Sequence, residues 1–223
     1  MNVNMQNVSH NRGDVKLLRN VSFNVESGES IVISAPSGNG KSLLFSILCG
    51  LIQPDKGRVL VDEQAIYSMN QQQNQHFRKC FSTIFQRPAL ISNLSLLENF
   101  LLPLNLHYPY LSREDKLAKI NHLTELVGIT KFLSQRMDAL SVGQAALAGF
   151  VRGMLLEPKC LIWDAPLVEI DQRYEDVVKS LLSDLKRAGS TIILLSNNDE
   201  LIVEFATRHF ILSEGILRQH DVK

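Results

Sequence analysis

The chain has 223 residues, 45% hydrophobic and 21% charged, with 23 basic side chains balanced by 23 acidic ones. That length suits one large domain, or one domain carrying a sub-domain, with a substantial core. Zero net charge gives no electrostatic reason to expect nucleic acid or an anionic membrane surface as a direct partner.

No apolar stretch approaches the roughly 18 residues of a membrane-crossing helix, and the N-terminus lacks a signal-peptide layout. Cys49, Cys80 and Cys160 are far apart and lack metal-ligand spacing, so they read as buried thiols of a reducing compartment. The expectation is a soluble, cytoplasmic chain.

Val21, Phe23 and Val25 alternate with Ser22, Asn24 and Glu26, the period of a half-buried strand, and Ser27-Gly28-Glu29 turns the chain. Ser30 to Ser34 is a short apolar run suited to a central parallel strand covered on both faces. Ala35-Pro-Ser-Gly-Asn-Gly-Lys-Ser42 follows, and then Leu43, Leu44, Ile47, Leu48 and Leu51 recur at helical spacing. In such a strand–loop–helix, Gly38 and Gly40 let the backbone turn its N–H groups inward, Lys41 reaches the outer phosphates, and the Ser42 hydroxyl suits Mg²⁺. The helix N-terminus adds its positive end. The first glycine of this loop pattern is Ala35 here, which would be strained if that position needs a positive φ.

Gln53 to Gly57 signals a turn, Arg58 to Val61 a short strand, and the Gln/Asn-rich residues Asn70 to Gln75 an exposed turn or helix edge. Cys80 to Phe85 reads as a buried strand ending at Gln86. From about Arg87 to Leu140 helical periodicity takes over, with capping-box starts at Ser95 and Ser112 and an apolar face of Leu117, Ile120, Leu123 and Val127. Leu94, Leu96, Leu97, Phe100, Leu101 and Leu102 are more apolar than one helix needs, which fits either a docking face or a helix buried on most sides. Ser141 can cap a helix to about Leu156, Lys159 to Trp163 reads as a strand ending in Asp164, Val177 to Leu185 as a helix face, and Ser190 to Ser196 as another strand. Phe210 to Leu212 and Ile216 to Arg218 flank a turn as a closing hairpin. Alternating strands and helices predict an α/β fold with a mostly parallel sheet, its ligand rim at the carboxyl ends of the strands.

With the phosphate loop, Gln86, Leu140-Ser-Val-Gly-Gln144 and Cys160-Leu-Ile-Trp-Asp164 in this order, the whole chain resembles the nucleotide-binding subunit of ABC transporters. The resemblance implies a P-loop NTPase core over 1–86 and 141–223, N-terminal antiparallel β elements, and an inserted helical sub-domain over 87–140. It also implies ATP and Mg²⁺ as ligands, a membrane-embedded transporter subunit as partner, and peripheral attachment to the inner face of the cell membrane. Two such subunits, as a homodimer or a heterodimer, sandwich two ATP molecules. By the same resemblance, Ser37, Gly38, Asn39, Gly40, Lys41, Ser42 and Leu43 hold the phosphates. Ser42, Gln86 and Asp164 serve Mg²⁺, and Ser141, Gly143 and Gln144 cap the partner's ATP. Asp171 matches a retained aspartate, and the Run Glu98 to Leu104 is similar to lipid- and lipoprotein-handling branches.

The departures concern the chemistry. Ala165 stands where the family has the glutamate that polarises the attacking water, Asn197 where it has a histidine contacting the γ-phosphate, and Val142 where it has a signature glycine. No aromatic residue falls between His10 and Arg12 to stack on adenine, although the Arg12 guanidinium can stack instead. Glu169 offers a substitute base only if it points into the site. A single engineered change would explain Ala165 but none of the others, so the pattern suggests natural degeneracy: a subunit that binds Mg-ATP and hydrolyses it poorly. The alternatives are a slow but ordinary ATPase and a non-catalytic regulatory or scaffold protein.

Overall fold

The computed structural model describes residues 1–220; the last three residues of the 141–223 range lie outside the described residues. β1 (Val3–Arg12) and β2 (Val15–Val25) form a long antiparallel hairpin in which Val21, Phe23 and Val25 point inward between exposed neighbours. β3 (Ser30–Ser34) leads through a loop into α1 (Lys41–Leu48). β4 (Lys56–Val61) then pairs antiparallel with β1, and β5 (Gln64–Ala65) closes a four-stranded sheet in the order β2-β1-β4-β5.

The second sheet is built from β3, β6 (Phe81–Ile84), β7 (Cys160–Asp164), β8 (Thr191–Leu195), β9 (Arg208–Ser213) and β10 (Ile216–His220), in the order β10-β9-β3-β8-β7-β6. Every pairing in it is parallel except β9 with β10. All five residues of β7 and of β8 are buried, which is why these strands read as unbroken apolar runs. Alternate residues serve opposite cores. Val32, Leu161, Trp163, Ile192 and Leu194 pack on one side with the later helices, while Ile31, Ile33, Ile162, Ile193 and Leu195 pack on the other with α1 and the antiparallel sheet.

Of the two readings of the Gln/Asn-rich segment, the helix holds: it begins α2 (Gln71–Cys80). Asn70 accepts from the Gln73 N–H while the Gln73 side chain accepts from the Asn70 N–H, and Phe77 is buried against Phe81 with ring centroids 4.5 Å apart. Two capped helices, α3 (Leu96–His107) and α4 (Arg113–Leu126), lie between β6 and α5 (Val142–Met154). On α4, Lys116 is buried beside Ile120, and its ammonium donates to Asn105 Oδ1 at 3.0 Å. α6 (Gln172–Arg187) and α7 (Asp199–Phe205) complete the frame.

On α3, Leu96, Phe100 and Leu104 are fully buried core, whereas Leu102 and Leu106 face outward. Most of this apolar run therefore belongs to the interior, and a docking face can use only its outer edge. Phe100→Ala is expected to cost about 3–5 kcal/mol, read as a lowered midpoint of denaturant unfolding. An unchanged midpoint would contradict the placement of this ring in the core.

Candidate functional site

The carboxyl ends of β3, β7 and β8 converge on one cavity of about 710 Å³. Its floor is the loop between β3 and α1. Gly38 and Gly40 both take positive φ, 81° and 88°, and a Cβ on Gly40 would stand 3.2 Å from the Leu17 carbonyl oxygen. Only glycine meets both conditions without strain. Gly40 is also the N-cap of α1 and carries no side chain to cap it, so the first N–H groups of the helix remain available to an anion. Ala35 is not among the residues with positive φ, so alanine replaces the expected glycine there without backbone strain.

Lys41, Ser42, Gln86 and Asp164 all line this cavity. Asp164, the last residue of β7, is only 5% exposed. Burial pushes its carboxyl above the usual carboxylate range, against the opposing pull of the Lys41 ammonium and a hydrogen bond from Ser42. A buried carboxylate beside a hydroxyl and an amide oxygen is a donor set suited to a hard divalent cation such as Mg²⁺. A cation there would relieve the desolvated charge.

Ala165 lines the same cavity with φ 52°, and its N–H donates to the Leu195 carbonyl at 3.0 Å. With Leu167 at φ 68°, the turn after Asp164 holds two non-glycine residues in the left-handed region. Asn197 is also on the rim, but both ends of its amide bond the backbone of Ala35.

Two expected residues stand apart, and Glu169, as expected, does not line the cavity. Arg12 is exposed at the tip of the β1–β2 hairpin, paired with Val15, and does not line the cavity. Asn39 belongs to the loop but turns outward, its Oδ1 accepting from the Glu214 N–H at 2.9 Å. Glu169 faces a different recess.

That recess, about 390 Å³, is lined by Ser141, Gly143 and Gln144 together with Glu169 and Asp171. Ser141 caps α5 in a reciprocal box with Gln144, at 2.8 and 3.2 Å. A Cβ on Gly143 would lie 3.1 Å from the Glu169 carbonyl, so the signature segment packs closely on the turn after β7. Val142 is 64% exposed beside it, with Val168 at 63%.

Sequence reasoning missed Glu175. On the first turn of α6, this half-buried residue joins Asp164 as a second carboxylate lining the main cavity. Its position four residues past Asp171 puts it on one helix face with that residue, a signal present in the sequence but indistinct from ordinary surface charge.

Residues 18–168 match the family described as ABC transporter. The chain is 34% identical over 209 residues to an uncharacterized ABC transporter ATP-binding protein of Methanocaldococcus jannaschii, MJ1508, covering 92% of each. It is 32% identical over 214 residues to the methionine import ATP-binding protein MetN of Clostridioides difficile, covering 96% of this chain and 66% of that protein. Its fold matches the dimeric ATP-binding cassette MJ0796 bound to ADP and Pi, with a TM-score of 0.90, 25% identity and 99% of each chain covered. Strand order and these likenesses agree: the chain belongs to the ABC transporter family as one of its ATP-binding cassettes, with ATP and Mg²⁺ as ligands.

Proposed function

We propose that this cassette is the nucleotide-binding subunit of a membrane transporter, that it grips Mg-ATP and dimerises around it, and that it hydrolyses it weakly or not at all. The observation that carries this reading is Ala165, a methyl group lining the phosphate cavity next to Asp164. Mg²⁺, when bound, neutralises phosphate charge and orients the outer phosphates. The chain's own residues divide the rest: Ser37, Gly38 and Gly40 to Leu43 would hold phosphate oxygens, and Ser42, Gln86 and Asp164 would hold the ion. Ser141, Gly143 and Gln144 cap nucleotide held by a second cassette.

Loss of a positioned proton acceptor lowers the rate by about 10²–10⁴-fold, or about 3–5 kcal/mol of barrier, while leaving ground-state contacts in place. In a homodimer both sites would carry this defect. In a heterodimer with an intact relative, one site would regain its base from the partner.

Residues 87–140 act in this reading as a helical sub-domain that meets the membrane component. A groove of about 330 Å³ adjoining Phe85 supports it, with Leu51 and Leu102 on its apolar wall and Arg78, Lys79 and Arg152 around it. No helix among the described residues is long and apolar enough to cross a membrane, so attachment would be through this surface, on the inner face of the membrane.

A slow but ordinary ATPase is the second reading, favoured by the Glu175 carboxylate in the same cavity. Steady-state turnover separates the two. Ala165→Glu is expected to raise turnover about 100-fold or more, with Glu175→Gln leaving the wild-type rate unchanged. A wild-type rate abolished by Glu175→Gln would establish the second reading instead. In calorimetry, wild type is expected to bind Mg-ATP and Lys41→Ala to bind much more weakly; no heat with wild type would leave only a scaffold role. Leu102→Asp is expected to release the chain from the membrane fraction with Mg-ATP affinity unchanged within about twofold, since Leu102 is 44% exposed and lies outside the phosphate cavity. Undiminished membrane association would exclude this groove as the attachment.

A further inference from the structure

β3 and β8 pair in parallel from Ser30 opposite Ile192 to Ile33 opposite Leu195. The Ser196 N–H adds one more bond, to the Ile33 carbonyl at 3.0 Å. Beyond it the chain turns away into α7, and β3 loses its backbone neighbour on this side. The Asn197 side chain takes over that place. Its Oδ1 accepts from the Ala35 N–H at 2.9 Å, and its Nδ2 donates to the Ala35 carbonyl at 2.9 Å. A carboxamide carries the same donor and acceptor as a peptide unit, so the ladder gains one rung made by a side chain. Ala35 is only 2% exposed, where an unmet N–H and C=O are both costly.

We propose that Asn197 is a positioning residue that clamps the entry of the phosphate loop, and that it does not act as a contact to the transferred phosphate. Its Oδ1 and one Nδ2–H are committed to Ala35, five residues before Gly40. Neighbouring bonds fix the same loop from other directions: Ser34 Oγ meets His209 Nε2 at 2.8 Å, and Asn39 Oδ1 holds the Glu214 N–H at 2.9 Å. The loop is thus tied to β8 and to the β9–β10 hairpin before any nucleotide arrives. An imidazole has no adjacent donor and acceptor on one edge, so histidine cannot make the same pair of bonds.

The clamp is tested without nucleotide, by hydrogen exchange at the Ala35 amide in wild type, Asn197→Leu and Asn197→Asp. Leucine keeps the size and loses both bonds; aspartate keeps the acceptor. Asn197→Leu is expected to speed Ala35 exchange at least tenfold, roughly the loss of one bond to a buried amide. Asn197→Asp should hold it within about threefold of wild type. The Ala165 amide, bonded to Leu195, should stay unchanged throughout. Calorimetry should then show Mg-ATP binding at least about tenfold weaker in Asn197→Leu, and adding Asn197→His to Ala165→Glu should lower turnover below that of Ala165→Glu alone. Unchanged Ala35 exchange in Asn197→Leu, equal acceleration at Ala35 and Ala165, or higher turnover in the double variant would each overturn the clamp. The affinity and turnover arms rest on the proposed function; the exchange arm does not, so failure of wild type to bind Mg-ATP would remove that function and leave the clamp standing on its own test.

Discussion

A parallel strand buried on both faces has its backbone groups paired along its length, and at its end they must find other partners. β3 meets that constraint at Ser34, where the sheet stops and a ligand loop begins. The Ala35 N–H and C=O are satisfied by the Asn197 side chain, and the Ser34 hydroxyl meets His209 Nε2. Past them the chain curls through Gly38 and Gly40, both at positive φ, and enters α1 without a side-chain cap. The proposed site for phosphate follows from this handover: an ordered ladder ends, and a helix start with no side-chain cap comes after it. Asp164 and Ala165 reach the same rim because β7 ends level with β8, two strands away from β3.

Binding and cleavage draw on different parts of that rim. In the proposed reading the grip on triphosphate would be mostly backbone, set by glycine geometry, strand pairing and a helix start, with Lys41, Ser42 and Asp164 adding charge and ion contacts. Cleavage would need a further group at one point, able to accept a proton from water. In the proposed reading that point belongs to Ala165, which holds a left-handed conformation and is bonded through its N–H to Leu195. The backbone that would aim a longer side chain is therefore present, while the side chain is a methyl group. Val142 makes a related change on the signature side, placing an exposed β-branched residue where close approach to a partner is expected.

Much of this was legible in the sequence, because the core strands and the phosphate loop announce themselves locally. Ser30–Ser34 and Cys160–Asp164 are apolar because helices or a second sheet cover both faces, and the loop between β3 and α1 carries Gly40-Lys41-Ser42 directly after a strand and before a helix. Local pattern was weaker where the decisive contact is distant. The Gln/Asn-rich stretch left turn and helix edge both open, because α2 is held by its cap and by Phe77 rather than by any apolar stripe. The apolar run of α3 did not reveal which of its faces meets the core, and three of its largest side chains turned out to be interior. Asn197 matched a histidine position by alignment alone. Its bonds to Ala35, 162 residues earlier, become visible only when β3 and β8 lie side by side. Glu175 was equally silent, since a carboxylate on the first turn of a helix is commonplace.

The most direct measurement is the chemical fate of a single bound nucleotide. Purified protein is saturated with Mg-ATP labelled on its base, stripped of free nucleotide, and sampled over an hour, with the bound label resolved into ATP and ADP. Retention of the label as bound ATP throughout is the result expected of a cassette that keeps its grip without its base. Conversion to ADP within seconds, or no retained label at the first sample, would contradict it.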